Sequence, residues 1–207
     1  MPENSPVNGI DTTPQFLIEI NGEPIKSYYP VLAVNTIHEI SNQPRAEIIL
    51  MDGSAALGSF PISDSTDFMP GNTIVISAGY SDSRLIEIFS GTVMGQALHI
   101  QESEAYKLVV TCKGKKTKTV KPDHNSPAVL NIVLGDSIRS FYAELTAEQQ
   151  ETAVKGHVSF IGNAGVNIGC MIALGNVGTR FSGNRYVTGV THEIANGDWA
   201  TTVKFGI

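Results

Sequence analysis

Charge is scarce in this chain of 207 residues: Asp, Glu, Lys and Arg make up only 16%, with 14 basic against 20 acidic side chains and a net charge of −6. Positive charge in particular is thin, which argues against a nucleic-acid partner, because binding phosphates needs a clustered basic surface. The one basic run, KGKKTKTVK at 113–121, reads as a solvated join between larger units. There are two cysteines, Cys112 and Cys170, each in an apolar alternating stretch, so both are expected to be buried free thiols. No apolar run approaches the roughly eighteen residues of a membrane span, and no basic-then-apolar leader opens the sequence. Synthesis and folding in the cytosol, without membrane insertion by this chain, are the expectation.

Catalytic signatures are missing as well. His38-Glu39 and His192-Glu193 each have a threonine shortly before and an isoleucine just after. Neither has the second histidine of H-E-x-x-H, and neighbours on a strand point to opposite faces, so His and Glu of one pair do not converge on one ion. Asp64 and Asp67 lie in SDSTD, an acidic loop without the dense oxygen pattern of a calcium loop. Ser90 and Ser182 lack the G-x-S-x-G surround of an activated nucleophile. Each belongs to an FSG triplet, expected to mark a strand start with a tight turn. No Gly-rich loop opens a helix to cradle phosphate. No catalytic, cofactor-binding or metal-ligating residue is therefore expected, and the chain is not read as an enzyme.

What is present is alternation. With 42% hydrophobic residues the chain is a globular protein rather than a disordered linker. Period-two patterns and β-branched residues predict an all-β fold with strands at 16–20, 30–37, 46–51, 73–79, 86–100 and 106–113. A second series is predicted at 130–134, 138–145, 156–161, 171–174, 185–195 and 199–205. Ala195-Asn196-Gly197-Asp198 carries an Asn-Gly hairpin signal. One short helix is predicted from Thr146 through Ala153, because Thr146-Ala147-Glu148-Gln149 fits a capping box and good helix formers follow. Residues 1–14, with Pro, Asn and Asp and little hydrophobicity, read as a loose arm.

The two series are copies of one unit. At an offset of 113, residues 17–32 and 130–145 agree at Leu17/Leu130, Gly22/Gly135, Ile25/Ile138, Ser27/Ser140, Tyr29/Tyr142 and Leu32/Leu145, where roughly one identity is expected by chance. Further matches follow in order. Residues 45–53 lie over 155–163, 71–76 over 169–174, and FSG at 89–91 over FSG at 181–183, with Val93/Gly95 against Val187/Gly189 and Ile100 against Ile194. Tyr106, Leu108, Val110 and Cys112 match Trp199, Thr201, Val203 and Phe205. Copies of about a hundred residues are duplicated domains, since solenoid units are shorter. The predicted layout is an arm (1–14), a first barrel (15–113), a basic linker (114–127) and a second barrel (128–207).

Two stretches carry a family resemblance. PRAEIILMDGSAALGSFPISDSTDFMPGNTIVISAGY, followed by IFSGTVMGQ, resembles the N-terminal region of VgrG-type spike proteins and contractile-phage baseplate hubs. The ending from Lys155 resembles the last part of the same hub region, chiefly through Gly156, the run from Gly178 to Ile194, Trp199 and Phe205-Gly206. The resemblance implies two tube-type β-barrels per chain and a homotrimer, so that six similar barrels form a ring. Its implied partners are a tail tube ring, a spike tip or needle protein and other baseplate components. Assembly in the bacterial cytoplasm and incorporation into a contractile or secreted particle are implied with them. Family members carry more protein between the tube domains and continue into a needle, so spike, puncturing and effector roles are not carried over. The rival reading is a duplicated β-barrel module that binds carbohydrate or another ligand, which predicts exposed aromatics in a groove. A hydrolase ranks third, for want of paired carboxylates.

Overall fold

Alternation along each strand puts one set of side chains on a common face, and that face must be covered. The computed structural model describes residues 13–53, 58–81, 83–101, 105–116, 126–135, 138–148 and 151–206. Its first half contains β1 (Pro14–Ile20), β2 (Glu23–Pro24), β3 (Val31–Glu39), β4 (Arg45–Met51), β5 (Thr73–Tyr80), β6 (Ile86–His99) and β7 (Lys107–Gly114). Its second half contains β8 (Ala128–Val133), β9 (Ile138–Glu148), β10 (Glu151–Ile161), β11 (Met171–Gly175), β12 (Gly183–Ala195) and β13 (Asp198–Phe205). The fold is all-β, as the alternation predicts, and the described residues include no helix. Residues 1–12 of the expected arm and 117–125 of the expected linker lie outside the described residues.

The predicted helix at Thr146 to Ala153 is overturned. Thr146 pairs with Ala153, Ala147 with Thr152 and Glu148 with Glu151, extending the β9–β10 ladder. A two-turn helix is marginal alone, whereas these residues continue strands that β13 already anchors through β10. β2 was missed, although Asn21 (φ 52°) and Gly22 (φ 86°) form the same positive-φ step as Asn196 (φ 53°) and Gly197 (φ 74°). Both steps turn tight antiparallel hairpins, Ile20 opposite Glu23 and Ala195 opposite Asp198.

Strand order repeats between the halves. The first runs β1-β5-β6-β7-β4-β3 and the second β8-β11-β12-β13-β10-β9. One direction differs: β1 meets β5 antiparallel, whereas β8 meets β11 parallel. Pairing also corrects the offset of 113 beyond the first turn. Ala33 lies opposite Ile49 and Ser140 opposite Ser159, which places Ala33 with Ser140, an offset of 107. The second copy is thus six residues shorter between its first turn and β9. The sequence matches Ile25/Ile138 to Leu32/Leu145 therefore set a mostly loop segment against a strand. The FSG triplets differ too: Gly183 opens β12 at φ 112°, as expected, but Phe89-Ser90-Gly91 lies in the middle of β6.

With no helix among the described residues to cover the apolar faces, the sheet must curl onto itself. Ile18, Val34, Ile48, Leu50, Ile74, Ile76, Val93, Leu108 and Val110 come from six strands of the first half and share one buried cluster. Leu130, Ile132, Val158, Phe160, Ile172, Val187, Val203 and Phe205 form a second. Each such side chain contributes about 1.5–3 kcal/mol by leaving water. Ala164, Ile194 and Trp199 belong to the second half of the chain yet pack in the first cluster.

Candidate functional site

The halves join edge to edge. β3 and β12 form a seven-pair antiparallel ladder from Glu39 opposite Gly189 to Ala33 opposite Ala195, which makes one continuous sheet of the thirteen described strands. On its inner face Val34 and Ile194 are buried opposite each other, and beside them Thr36 faces His192, likewise buried. His192 Nδ1 lies 3.0 Å from the Thr201 hydroxyl, which also accepts the Asn163 amide at 2.8 Å. Burial holds the His192 imidazole down at a pKa of about 4.

Trp199 closes the inner side. Its ring centroid is 5.3 Å from that of Tyr80 and 5.9 Å from that of His192. The Tyr80 hydroxyl donates to the Gly162 carbonyl at 3.1 Å, and burial pushes its pKa up to about 12. Gly162 has to be glycine, because a Cβ there would stand 1.9 Å from the indole. On the outer side Lys204 of β13 reaches across β12 to form an ion pair with Glu39 of β3. It crosses above Gly189, where a Cβ would meet Glu39 Cγ at 3.2 Å and Lys204 Cβ at 3.4 Å. Asn42 Nδ2 donates to the same carboxylate at 2.9 Å. These partners, Lys204 first, hold the Glu39 pKa below the usual carboxylate range.

Both His-Glu pairs therefore fall on this seam, but they do not make an ion site. His38 lies opposite Val190, and Glu193, opposite Asn35, is exposed. Among the described residues no group of three or more His, Cys, Asp or Glu side chains is placed to hold a metal. Asp67 accepts the Tyr29 hydroxyl at 2.5 Å and lies 3.2 Å from Lys26 Nζ, which together lower its pKa. Asp64 lies in the same loop, its amide donating to the Phe60 carbonyl. Ser90 is exposed on β6, and the Ser182 hydroxyl accepts the Val177 amide at 3.3 Å. Cys112 is buried and Cys170 partly buried; both are free, and desolvation raises both thiol pKa values, that of Cys112 to about 12.

Sequence reasoning missed Asp52, which is buried and accepts the amides of Ile62 at 3.0 Å and Ser63 at 2.7 Å, pinning the segment inserted between β4 and β5. Its signal was the position itself, a lone carboxylate directly after an alternating strand. Two surface hollows border the seam, a cleft of about 730 Å³ reaching Phe89 and Ser90 and a groove of about 350 Å³ between Ile37, Met94 and Glu193. Phe89 is among the described residues lining the cleft, and neither hollow has Tyr or Trp among them.

This arrangement of strands is matched elsewhere. The family model described as the Alg8 N-terminal domain matches residues 11–120 and 150–196, on both sides of the seam. The chain belongs to the Alg8 N-terminal domain family. No curated protein matches the sequence of this Alg8-type domain. Among solved structures it is similar to the 43 kDa tail protein of prophage MuSo2 from Shewanella oneidensis, with a TM-score of 0.62 at 6% identity over 93% of this chain and 96% of that one. A tail protein from Neisseria meningitidis MC58 is similar at a TM-score of 0.63 and 7% identity, over 94% and 96% of the two chains. The E. coli c3393 protein, a component of the type VI secretion system with structural similarity to the T4 tail proteins gp27 and gp5, gives a TM-score of 0.55 and 9% identity over 91% of this chain and 76% of that one. At such identities the likeness is one of fold.

Proposed function

We propose that this chain is a structural, non-enzymatic hub of a contractile injection apparatus: a phage tail, a type VI secretion system or an extracellular tail-like particle. Three chains, each with two tube-type barrels at 15–113 and 128–207, form a pseudo-sixfold ring that joins the tail tube to the spike. The observation that carries this reading is the strand order repeated in both halves and fused edge to edge through β3 and β12. The fold's likeness to tail and type VI components supports the same reading, as do the VgrG-like stretches of sequence. Heterologous contacts of this kind close into a ring when the rotation between successive units permits it. The chain's partners are further copies of itself, a tail tube ring, a spike tip or needle protein and baseplate components; nucleic acid and membrane are not among them. Assembly takes place in the bacterial cytoplasm before incorporation into the particle.

Native mass spectrometry with class averages of stained particles tests this reading. A trimer whose averages have threefold or near-sixfold symmetry is expected, and a strictly monomeric species at high concentration overturns it.

A further inference from the structure

Among the described residues, the join between the halves leaves a second, matching pair of edges without a strand partner. β12 outruns its neighbour β11: Gly183–Tyr186 pair with β11, and from Gly189 to Ala195 the same edge is occupied by β3. β6 is built alike. It pairs with β5 only as far as Thr92, and beyond that point no strand among the described residues occupies this edge. The correspondence is local as well as topological. The Gly71 amide donates to the Val93 carbonyl and the Val93 amide to the Asn72 carbonyl, as Gly169 does to Val187 and Val187 to Cys170, all at 2.9 Å. Register shifts follow in both strands, between Val93 and Gly95 and between Val187 and Gly189. Gly95 is therefore the counterpart of Gly189. At the other end of the sheet β9, the counterpart of β3, pairs with β10 on one edge and with no strand on the other among the described residues.

We infer that β9 of one chain pairs antiparallel with the outer part of β6 in a second copy of this chain, repeating the β3–β12 seam. This rests on the ring reading above and assigns its contact between chains. The offset of 107 for β3/β9 and of 94 for β6/β12 fix the register. Ile100 falls opposite Phe141, Leu98 opposite Ala143, Gln96 opposite Leu145, Ala97 opposite Glu144 and Gly95 opposite Thr146. The inner positions of the existing seam, Val34 with Ile194 and Thr36 with His192, become Phe141 with Ile100 and Ala143 with Leu98. In the single chain Ile100 is 57% exposed, Leu145 43% and Leu98 38%. Large apolar side chains thus stand exposed at the positions the seam would bury. An open edge with an apolar inner face is a liability unless another chain covers it. A second copy fits because the chain already makes this contact with itself. Thr146 Oγ1 adds to the match: it is buried with no hydrogen-bond partner among the described residues, and it falls where Glu39 sits in the existing seam, with Thr111 in the place of Lys204.

Directly opposed residues of an antiparallel pair have Cα atoms about 4.5–5.5 Å apart, inside the range of roughly 4.4–6.8 Å that a disulfide spans. The full-length chain carrying Ala97→Cys and Glu144→Cys, oxidised under mild conditions, is expected to run on non-reducing gels as covalent dimer and closed trimer. The off-register pair Ala97→Cys with Ser140→Cys is expected to remain uncrosslinked. Leu98→Glu with Leu145→Glu, at sites already exposed in the single chain, is expected to weaken self-association by on the order of tenfold or more while the circular dichroism of the monomer is kept, because two unpaired charges would be buried. A trimer in native mass spectrometry that fails to crosslink at 97/144, or crosslinks equally at 97/140, overturns the strand pairing and leaves the ring reading standing. A chain that stays monomeric throughout overturns the ring reading and this pairing with it.

Discussion

His192 shows how one buried side chain ties the seam to pH. Its imidazole is neutral in the folded chain, with a pKa lowered from 6.5 to about 4 by burial. Above pH 6.5 neither the folded nor the unfolded state is protonated at this site, and stability is unaffected. Between 6.5 and 4 the unfolded chain binds the proton and the folded chain does not, so stability falls with pH, by at most about 3 kcal/mol. His38, also held down by burial, acts with the same sign. The carboxylates of Glu39 and of Asp198, the latter held down by the Arg139 guanidinium at 2.6 Å, add their losses lower still, as pH falls through their folded pKa values. The expected outcome is a urea midpoint that declines from pH 7 to 4, and a visibly flatter decline in His192→Leu, which carries the residue found at the corresponding Leu98. An equal slope in the variant would show that the proton goes elsewhere.

Among the elements, β12 does the joining, because it is long enough to serve β11, β13 and β3 at once. Gly189 lets Glu39 and Lys204 meet across it, but their side chains are 26% and 59% exposed. Exposed pairs contribute little, so a double-mutant cycle of Glu39→Gln and Lys204→Met should return a coupling of about 0.2–1 kcal/mol, reduced by salt. A coupling well above that range would mean that the pair, rather than the ladder and the buried Trp199, holds the halves together. The strands themselves were legible. Predicted and observed ranges agree for eleven of them to within three residues at each end, because alternation reports a half-buried face directly, while β10 starts five residues earlier than predicted. The capping-box residues at 146–149 misled for a related reason: helix signals are local, and the pairing that β10 offers β9 is not.

For the molecule as a whole, one sheet runs through both halves, and Trp199 of the second half packs in the core of the first. The halves should therefore unfold together. Calorimetry is expected to give a single transition with equal calorimetric and van't Hoff enthalpies, whereas two resolved transitions would mean that the seam is only a contact between independent units.

The repeat and the all-β class could be read from residue types and spacing, since those are properties of short stretches of chain. The true offset between copies could not, because it depends on which residues face each other across ladders, and a six-residue shortening leaves chance identities in place. Nor could the role of the two His-Glu pairs be read. They lie 154 positions apart along the chain and become neighbours only because β3 spends its second edge on β12. That choice of partner is a matter of which backbone edges remain unsatisfied once each half has curled around its own core.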